Sequence, residues 1–297
     1  MTIESEKNIA SVTMPKPPYP LQHQDKQPGI ESLMNPRPVY DNPNYKPGGK
    51  LINKVAIITG GDSGQGRAIA VAFAKEGADV VIVYLNEHSD AEETKQVVEQ
   101  KGRSCLCIAG DLGEEAFCKQ IVEQTVAHFG KLDVLVNNAA EQHVQNSLES
   151  ITSEQMERTF KTNFFSVFYL TKAALPHMKQ GASIINAASL TAYEGNEQLI
   201  DYSATKGAIV AFTRSLSKSL HSRGIRVNGV VPGSVWTPLI PASFPAGQVA
   251  KWGEKNPMGR AGQPCEIAPV YVFLASDDSS YISGQFIHAT GGVVVNS

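Results

Sequence analysis

The stretch Lys54 to Gly66, KVAIITGGDSGQG, constrains this chain more than any other. Val55 to Ile58 form a short apolar run, too short for a helix and suited to a strand buried on both faces. Thr59-Gly60-Gly61-Asp62-Ser63-Gly64-Gln65-Gly66 then turns the chain, and Arg67 to Glu76 reads as an amphipathic helix stopped by Gly77. A strand that meets a helix through glycines gathers backbone N–H groups and the positive end of a helix dipole at one point, which suits a diphosphate. Side chains there would hold phosphates off the amides and forbid positive φ. Glycines alone also fit an ordinary tight strand-to-helix turn, so the rest of the chain has to decide.

From Leu51 onward one unit recurs: apolar strand, polar turn, helix, glycine, next strand. Strands are expected over 54–59, 79–84, 104–109, 132–136, 182–188, 225–231 and 286–289. Gly77, Gly102, Gly130, Gly181 and Gly224 stand where a left-handed residue ends a helix before the next strand. Strands joined through helices lie parallel, and right-handed crossovers put helices on both faces. The expected fold class is therefore α/β, a doubly wound parallel sheet of Rossmann type, with one domain over 51–297. Ligands of such sheets bind beyond the carboxyl ends of the strands.

Polar or small residues follow each of those ends. After the glycine turn, with Gly60, Ser63, Gly64, Gln65 and Gly66, comes Tyr84-Leu85-Asn86-Glu87-His88, about twenty residues on, where an adenosine ribose is held. Gly110-Asp111-Leu112 follows the third strand and offers a carboxylate to an adenine amino group. Asn137-Asn138-Ala139-Ala140 follows the fourth and suits backbone contact with a nucleoside. Ser189 follows the fifth, and Pro232-Gly233-Ser234-Val235-Trp236-Thr237-Pro238 the sixth. Convergence on one edge argues for a ligand site over unrelated loops.

Residues 1–50 differ. Nine of the 17 prolines fall there, and apolar periodicity is weak, so the segment cannot build its own core and is expected to be an extended arm. Tyr19, Leu21, Ile30, Leu33, Met34 and Tyr40 are more anchors than a free tail needs, so part of the arm should lie on the body or on a neighbouring subunit. The formal charge of −3 argues against a nucleic-acid partner or an anionic membrane surface. The polar N-terminus and the lack of an apolar run of about 20 residues point to a cytoplasmic protein without a membrane partner. Cys105, Cys107, Cys118 and Cys265 show no zinc spacing, so no metal is expected and the thiols are read as reduced.

Asp201-Tyr202-Ser203-Ala204-Thr205-Lys206 opens a helix running to about His221. Tyr202 and Lys206 are four apart and share a face. A phenol titrates near about 10, too high for proton exchange at neutrality, and an adjacent ammonium is expected to lower that by roughly two to three units. Ser189, ending an apolar strand, can donate to a substrate oxygen. Asn163, in the apolar Thr162-Asn163-Phe164-Phe165, is either a satisfied structural amide or the holder of a water that links Lys206 to solvent.

On these residues the chain resembles the short-chain dehydrogenases/reductases over about 51–297. Thr59-Gly60-x-x-x-Gly64-x-Gly66 matches the nucleotide turn, Asn137-Asn138-Ala139 the motif after the fourth strand, and Pro232-Gly233 the turn over the nicotinamide. Asn163, Ser189, Tyr202 and Lys206 match the catalytic tetrad, and the arm is similar to that of a bacterial subgroup described as glucose/ribitol dehydrogenase-like or aldehyde reductase-like. The resemblance implies hydride transfer between a nicotinamide and an alcohol or carbonyl substrate such as a sugar, polyol, aldehyde or ketone. Tyr202 would be the acid/base and Lys206 would also hold the nicotinamide ribose. Cofactor contacts are then expected from Gly60, Ser63, Gly64, Gln65, Gly66, Tyr84, Asp111, Leu112, Asn138, Ala139, Ala140, Tyr202, Lys206, Pro232, Gly233, Val235 and Thr237. Gln65 departs from the Ile or Leu usual there. With no Lys or Arg between 78 and 94, and Ser63 in place of an Arg, the expected cofactor is NAD, with NADP as the alternative.

The substrate pocket is expected to draw on Glu141, Gln142, His143, Tyr193, Glu194, Asn196 and the loop Trp236 to Phe244, with 237–262 as a lid. The family further implies a homotetramer, with helix 153–178, its Phe160, Phe164, Phe168 and Leu175, and the helix at 206–220 at subunit contacts. A non-catalytic dinucleotide-binding redox sensor is the other reading; it would be marked by loss of the Tyr or the Lys, and both are present.

Overall fold

A computed structural model describes residues 13–295. Seven parallel strands form one sheet: β1 (Val55–Thr59), β2 (Asp79–Tyr84), β3 (Cys105–Ala109), β4 (Val134–Asn137), β5 (Ser183–Ala187), β6 (Arg226–Pro232) and β7 (Phe286–Ala289). Their order across the sheet is β3-β2-β1-β4-β5-β6-β7. The chain therefore reverses direction of travel between β1 and β4, and the crevice at that switch point opens at the carboxyl edge. The helices are α1 (Gly64–Lys75), α2 (His88–Gln100), α3 (Glu115–Phe129), α4 (Ser153–Phe160), α5 (Ser166–Ala174), α6 (Thr191–Glu194), α7 (Ile200–Leu220), α8 (Ala246–Val249) and α9 (Pro264–Ala275). Each expected strand is present within a few residues of its expected limits.

Alternation along the strands feeds a core on each face. Ala56, Ile58, Val80, Ile82, Val134 and Val136 pack against α1 and α9, while Ile57, Val81, Val83 and Leu135 pack against α3 and α5. Both faces are dry, which is why these strands carry no polar alternation. The expected helix over 153–178 is interrupted: a π-turn at Lys161–Phe165 separates α4 from α5 and carries Asn163. An extra residue in that turn rotates Asn163 inward, where it is fully buried.

The arm lies on the body along its described length. Tyr19 stacks on Trp236 with ring centroids 4.0 Å apart, and the Trp236 indole N–H donates to Pro36 O at 2.9 Å. Glu31 and Glu76 fasten the arm to the two ends of α1. The Glu31 carboxylate accepts from Gly64 N at 2.6 Å and pairs with Arg67 at 2.6 Å. Glu76 accepts from Gly48 N at 3.0 Å and Lys50 N at 2.8 Å. The anchors do not act alike: Tyr19 and Met34 are buried, whereas Leu21 and Leu33 are exposed.

Candidate active site

A cleft along the carboxyl edge has two connected lobes that share Gln65, Asn138, Ala140, Thr237 and Leu239. The first lobe follows the ends of β1, β2 and β3. Gly60, Ser63 and Gly64 form its floor, Tyr84, Asp111 and Leu112 its far end, and Ala139 its near wall. Gly60 and Gly64 have φ of +63° and +51°, conformations that a side chain would strain. Gly66 lines neither lobe. A Cβ there would sit 1.8 Å from the Gly60 carbonyl oxygen, so its part is to let α1 lie against the strand end.

One donor of the turn is already taken. Gly64 N–H, at the start of α1, donates to Glu31, and this carboxylate is fully buried. The N–H groups of Gln65 and Gly66 have no acceptor among the described residues. Of the two, Gln65 lines both lobes, so its N–H, with the helix dipole behind it, is what remains for a diphosphate. The Gln65 side-chain oxygen is also buried without a partner. An unpartnered polar atom beside two free N–H groups, on a floor that only glycine can form, fits a dinucleotide lying along this lobe.

At the far end, Asp62 is a buried carboxyl, pushed up to about 6 by that burial. Tyr84 OH is 2.9 Å from His88 Nδ1. Arg158 on α4 bridges Asp111 at 2.6 Å and Glu141 at 3.1 Å, so the Asp111 carboxylate is partly committed. Arg67 is fully buried and engaged by Glu31, Thr94 and the carbonyls of Asp62 and Asp90. It does not reach the lobe.

The second lobe brings together Ser189, Tyr202, Lys206, Pro232, Gly233 and Val235. Tyr202 and Lys206 stand one turn apart on α7, with Lys206 Nζ 5.5 Å from the Tyr202 ring centroid. The ammonium donates to Ala187 O, at the end of β5, at 2.8 Å. Ser189 Oγ accepts from Thr191 N at 3.2 Å, which fixes its orientation.

The electrostatics correct the expectation for the phenol. Burial raises Tyr202 from 10.0 to about 12, against a lowering contribution from the Ser189 hydrogen bond. Lys206, 2% exposed, is lowered from 10.5 to about 7 by the same loss of water. Spacing places an amine beside the phenol as expected, but desolvation sets the direction of both shifts, and the lowering contribution on Tyr202 comes from Ser189.

Asn163 lines neither lobe. Its Oδ1 accepts from Glu141 N at 2.8 Å and its Nδ2 donates to Glu141 O at 2.8 Å and to Thr205 at 3.2 Å. These bonds satisfy the side-chain amide. Asn163 ties the loop after β4 to α7 one residue from Lys206.

Gln142, Glu194 and Asn196 line the second lobe as expected, together with Leu239, Ile240 and Phe244. Glu141 lines the first lobe instead, and His143 lines neither but lies 3.5 Å from Glu141. Tyr193 packs on His288 at 4.8 Å between centroids, away from the lobe. Trp236 is fully buried under the arm, so it is core. Thr191, Gln248 and Trp252 line the second lobe, and Gln27, Pro28 and Gly29 the first. Gln248 and Trp252 fall within the segment 237–262 expected as a lid, whereas neither Thr191 nor the arm residues were singled out for the site. The only cue to the arm residues was a Pro-Gly pair in a segment with too many anchors for a free tail.

A family model described as enoyl-(acyl carrier protein) reductase matches residues 60–294. The glucose and ribitol dehydrogenase of Daucus carota is 53% identical over 284 residues, covering 94% of this chain and 98% of that protein. NADPH-dependent aldehyde reductase 1, chloroplastic, of Arabidopsis thaliana is 51% identical over 283 residues, covering 93% and 98%. A crystal structure of a short chain dehydrogenase from Burkholderia cenocepacia J2315 in complex with NADP superposes with a TM-score of 0.77 at 29% identity, covering 82% of this chain and 98% of that one. The fold and the cleft thus define a dinucleotide-binding oxidoreductase, and the chain belongs to the short-chain dehydrogenase/reductase family.

Proposed function

We propose that this protein interconverts a polar aldehyde or ketone, such as an open-chain sugar, and its alcohol. The nicotinamide dinucleotide supplies or accepts the hydride. The observation that carries this reading is Tyr202, Ser189 and Lys206 around one lobe that opens into the lobe of the glycine turn.

Tyr202 gives its proton to the carbonyl oxygen in reduction and takes it back in oxidation. A phenol held at about 12 keeps that proton at neutral pH, which suits the reductive direction. Ser189 donates to the same oxygen, and the Thr191 N–H holds it in place. Lys206, in the second lobe, binds ribose hydroxyls and moves Tyr202 toward ionisation whenever it carries its proton. Asn163 is a positioning residue: its bonds to Glu141 and Thr205 fix the loop after β4 against α7. Gln142, Glu194, Asn196 and Gln248 offer partners to substrate hydroxyls, with Trp252 as an apolar wall.

NADP(H) is the proposed carrier, on the aldehyde reductase named as NADPH-dependent and the relative in complex with NADP. With Arg67 committed to Glu31, a 2′-phosphate would depend on hydroxyl and backbone donors near Ser63 and Tyr84. NAD is favoured by a specific observation of its own: Asp62, a carboxyl lining the adenosine end, suits a free ribose hydroxyl and opposes a phosphate.

An absorbance assay with NADPH and NADH against aldehydes, sugars, polyols and secondary alcohols tests both parts. The expected result is reduction of polar aldehydes with a kcat/KM at least about tenfold higher for NADPH, a difference of about 1.4 kcal/mol. A preference for NADH would replace the carrier, and no turnover with bound dinucleotide would favour the sensor.

A further inference from the structure

The glycine turn, the loop after β4 and the loop after β6 form the cleft of the body, yet the first lobe has a further wall that belongs to none of them. Gln27, Pro28 and Gly29 of the arm line this lobe together with Gly60, Ser63 and Gly64. We propose that this arm segment is part of the dinucleotide site and governs how long the dinucleotide stays bound. The proposal rests on the reading of the first lobe given above.

The arm is fixed to the loop after β4, the loop after β6 and the glycine turn. Gln27 Nε2 donates to Gln142 O at 2.6 Å and Gln142 N donates to Gln27 Oε1 at 3.1 Å, a reciprocal pair that joins the arm to the loop after β4. At the loop after β6, Gln24 N donates to Pro241 O at 2.8 Å and His23 Nδ1 lies 2.9 Å from Phe244 O. Between these points the chain is pressed onto the loop after β6, where a Cβ on Gly29 would sit 2.3 Å from Pro238 O. Glu31 then ends the segment on the glycine turn itself, at Gly64 N. The stretch 23–31 therefore spans the cleft and ends on the same helix start that would carry the diphosphate.

A ligand under such a span cannot leave sideways while both ends hold. Release requires the Gln27–Gln142 pair or the contacts to 238–244 to part first, so dissociation inherits the opening rate of the arm. The 237–262 segment read as a lid is thus closed from outside by the arm, and the two move as one cover.

The test uses the full chain and NADPH, with NADH in a parallel arm. Gln27→Ala removes the reciprocal pair without leaving a buried charge. It is expected to raise the dissociation rate, followed by stopped-flow nucleotide fluorescence, and the Kd by about tenfold, the scale of the two hydrogen bonds lost. The KM for the dinucleotide should rise with them. In the unmodified protein, hydrogen exchange over 23–31 should slow when NADPH is added. Unchanged dissociation in the variant, or exchange over 23–31 indifferent to NADPH, would overturn the arm's role while leaving the site intact. Failure of the unmodified protein to bind either dinucleotide would overturn the reading of the lobe, and the proposal with it.

Discussion

Lys206 is the residue whose surroundings matter most. Its ammonium has one protein acceptor, the Ala187 carbonyl, and almost no water. With its value lowered from 10.5 to about 7, the folded protein holds fewer protons than the unfolded chain between those limits. Stability due to this group therefore rises with pH through that window, and below it the full burial penalty is present. A dinucleotide brings phosphates and ribose hydroxyls that favour the charged form. Binding at about pH 8.5 should therefore take up close to one proton, and at about pH 6 almost none. Calorimetry in buffers of different ionisation enthalpy reads this directly, and Lys206→Met should abolish the uptake. Equal uptake in the variant would assign the proton elsewhere. The spacing of Tyr202 and Lys206 was legible because four residues on a helix always share a face. The direction of their pKa shifts was not, because spacing reports nearness and says nothing about excluded water.

At the scale of elements, α1 and the arm act as one unit. Glu31 sits where the helix dipole is positive, and burial pushes its carboxyl up to about 7 against the pull of Arg67 and the Gly64 N–H. Glu31→Ala would leave a fully buried guanidinium short of a partner. The expected loss is about 3 kcal/mol, the lower end for breaking a buried pair, because Glu93 remains 3.1 Å from Arg67. Urea denaturation should show a lower midpoint at unchanged slope; a loss below about 1 kcal/mol would mean the arm is not anchored there. Strands and the glycine turn could be read locally, since each is a run of a few adjacent residues. The Glu31–Arg67 pair could not, as no periodicity connects a proline-rich arm to a helix it meets only after folding. Trp236 was misassigned for the same reason. An aromatic in a loop reads alike as pocket wall or core, and the ring that covers it, Tyr19, comes from the far end of the chain.

At the scale of the whole molecule, the sheet order brings β1 and β4 together and leaves a crevice that the loops after β5 and β6 and the arm complete. Phe165 and Phe168 remain 38% and 44% exposed near the π-turn, an apolar face on the elements that also position Asn163. We propose that this face is covered in a homotetramer. Light scattering should then give the mass of four chains, and Phe168→Glu should lower it; a monomeric mass for the unmodified protein would reject the assembly. Among the described residues no helix is long and apolar enough to cross a membrane. Carbonyl reduction in this site depends on the proton carried by the Tyr202 phenol, and its removal is the most direct test. Tyr202→Phe should lower kcat for aldehyde reduction by about 10³-fold, within the range for a general acid, while the dinucleotide Kd stays within about threefold. A variant that reduces aldehydes at the unmodified rate would contradict it.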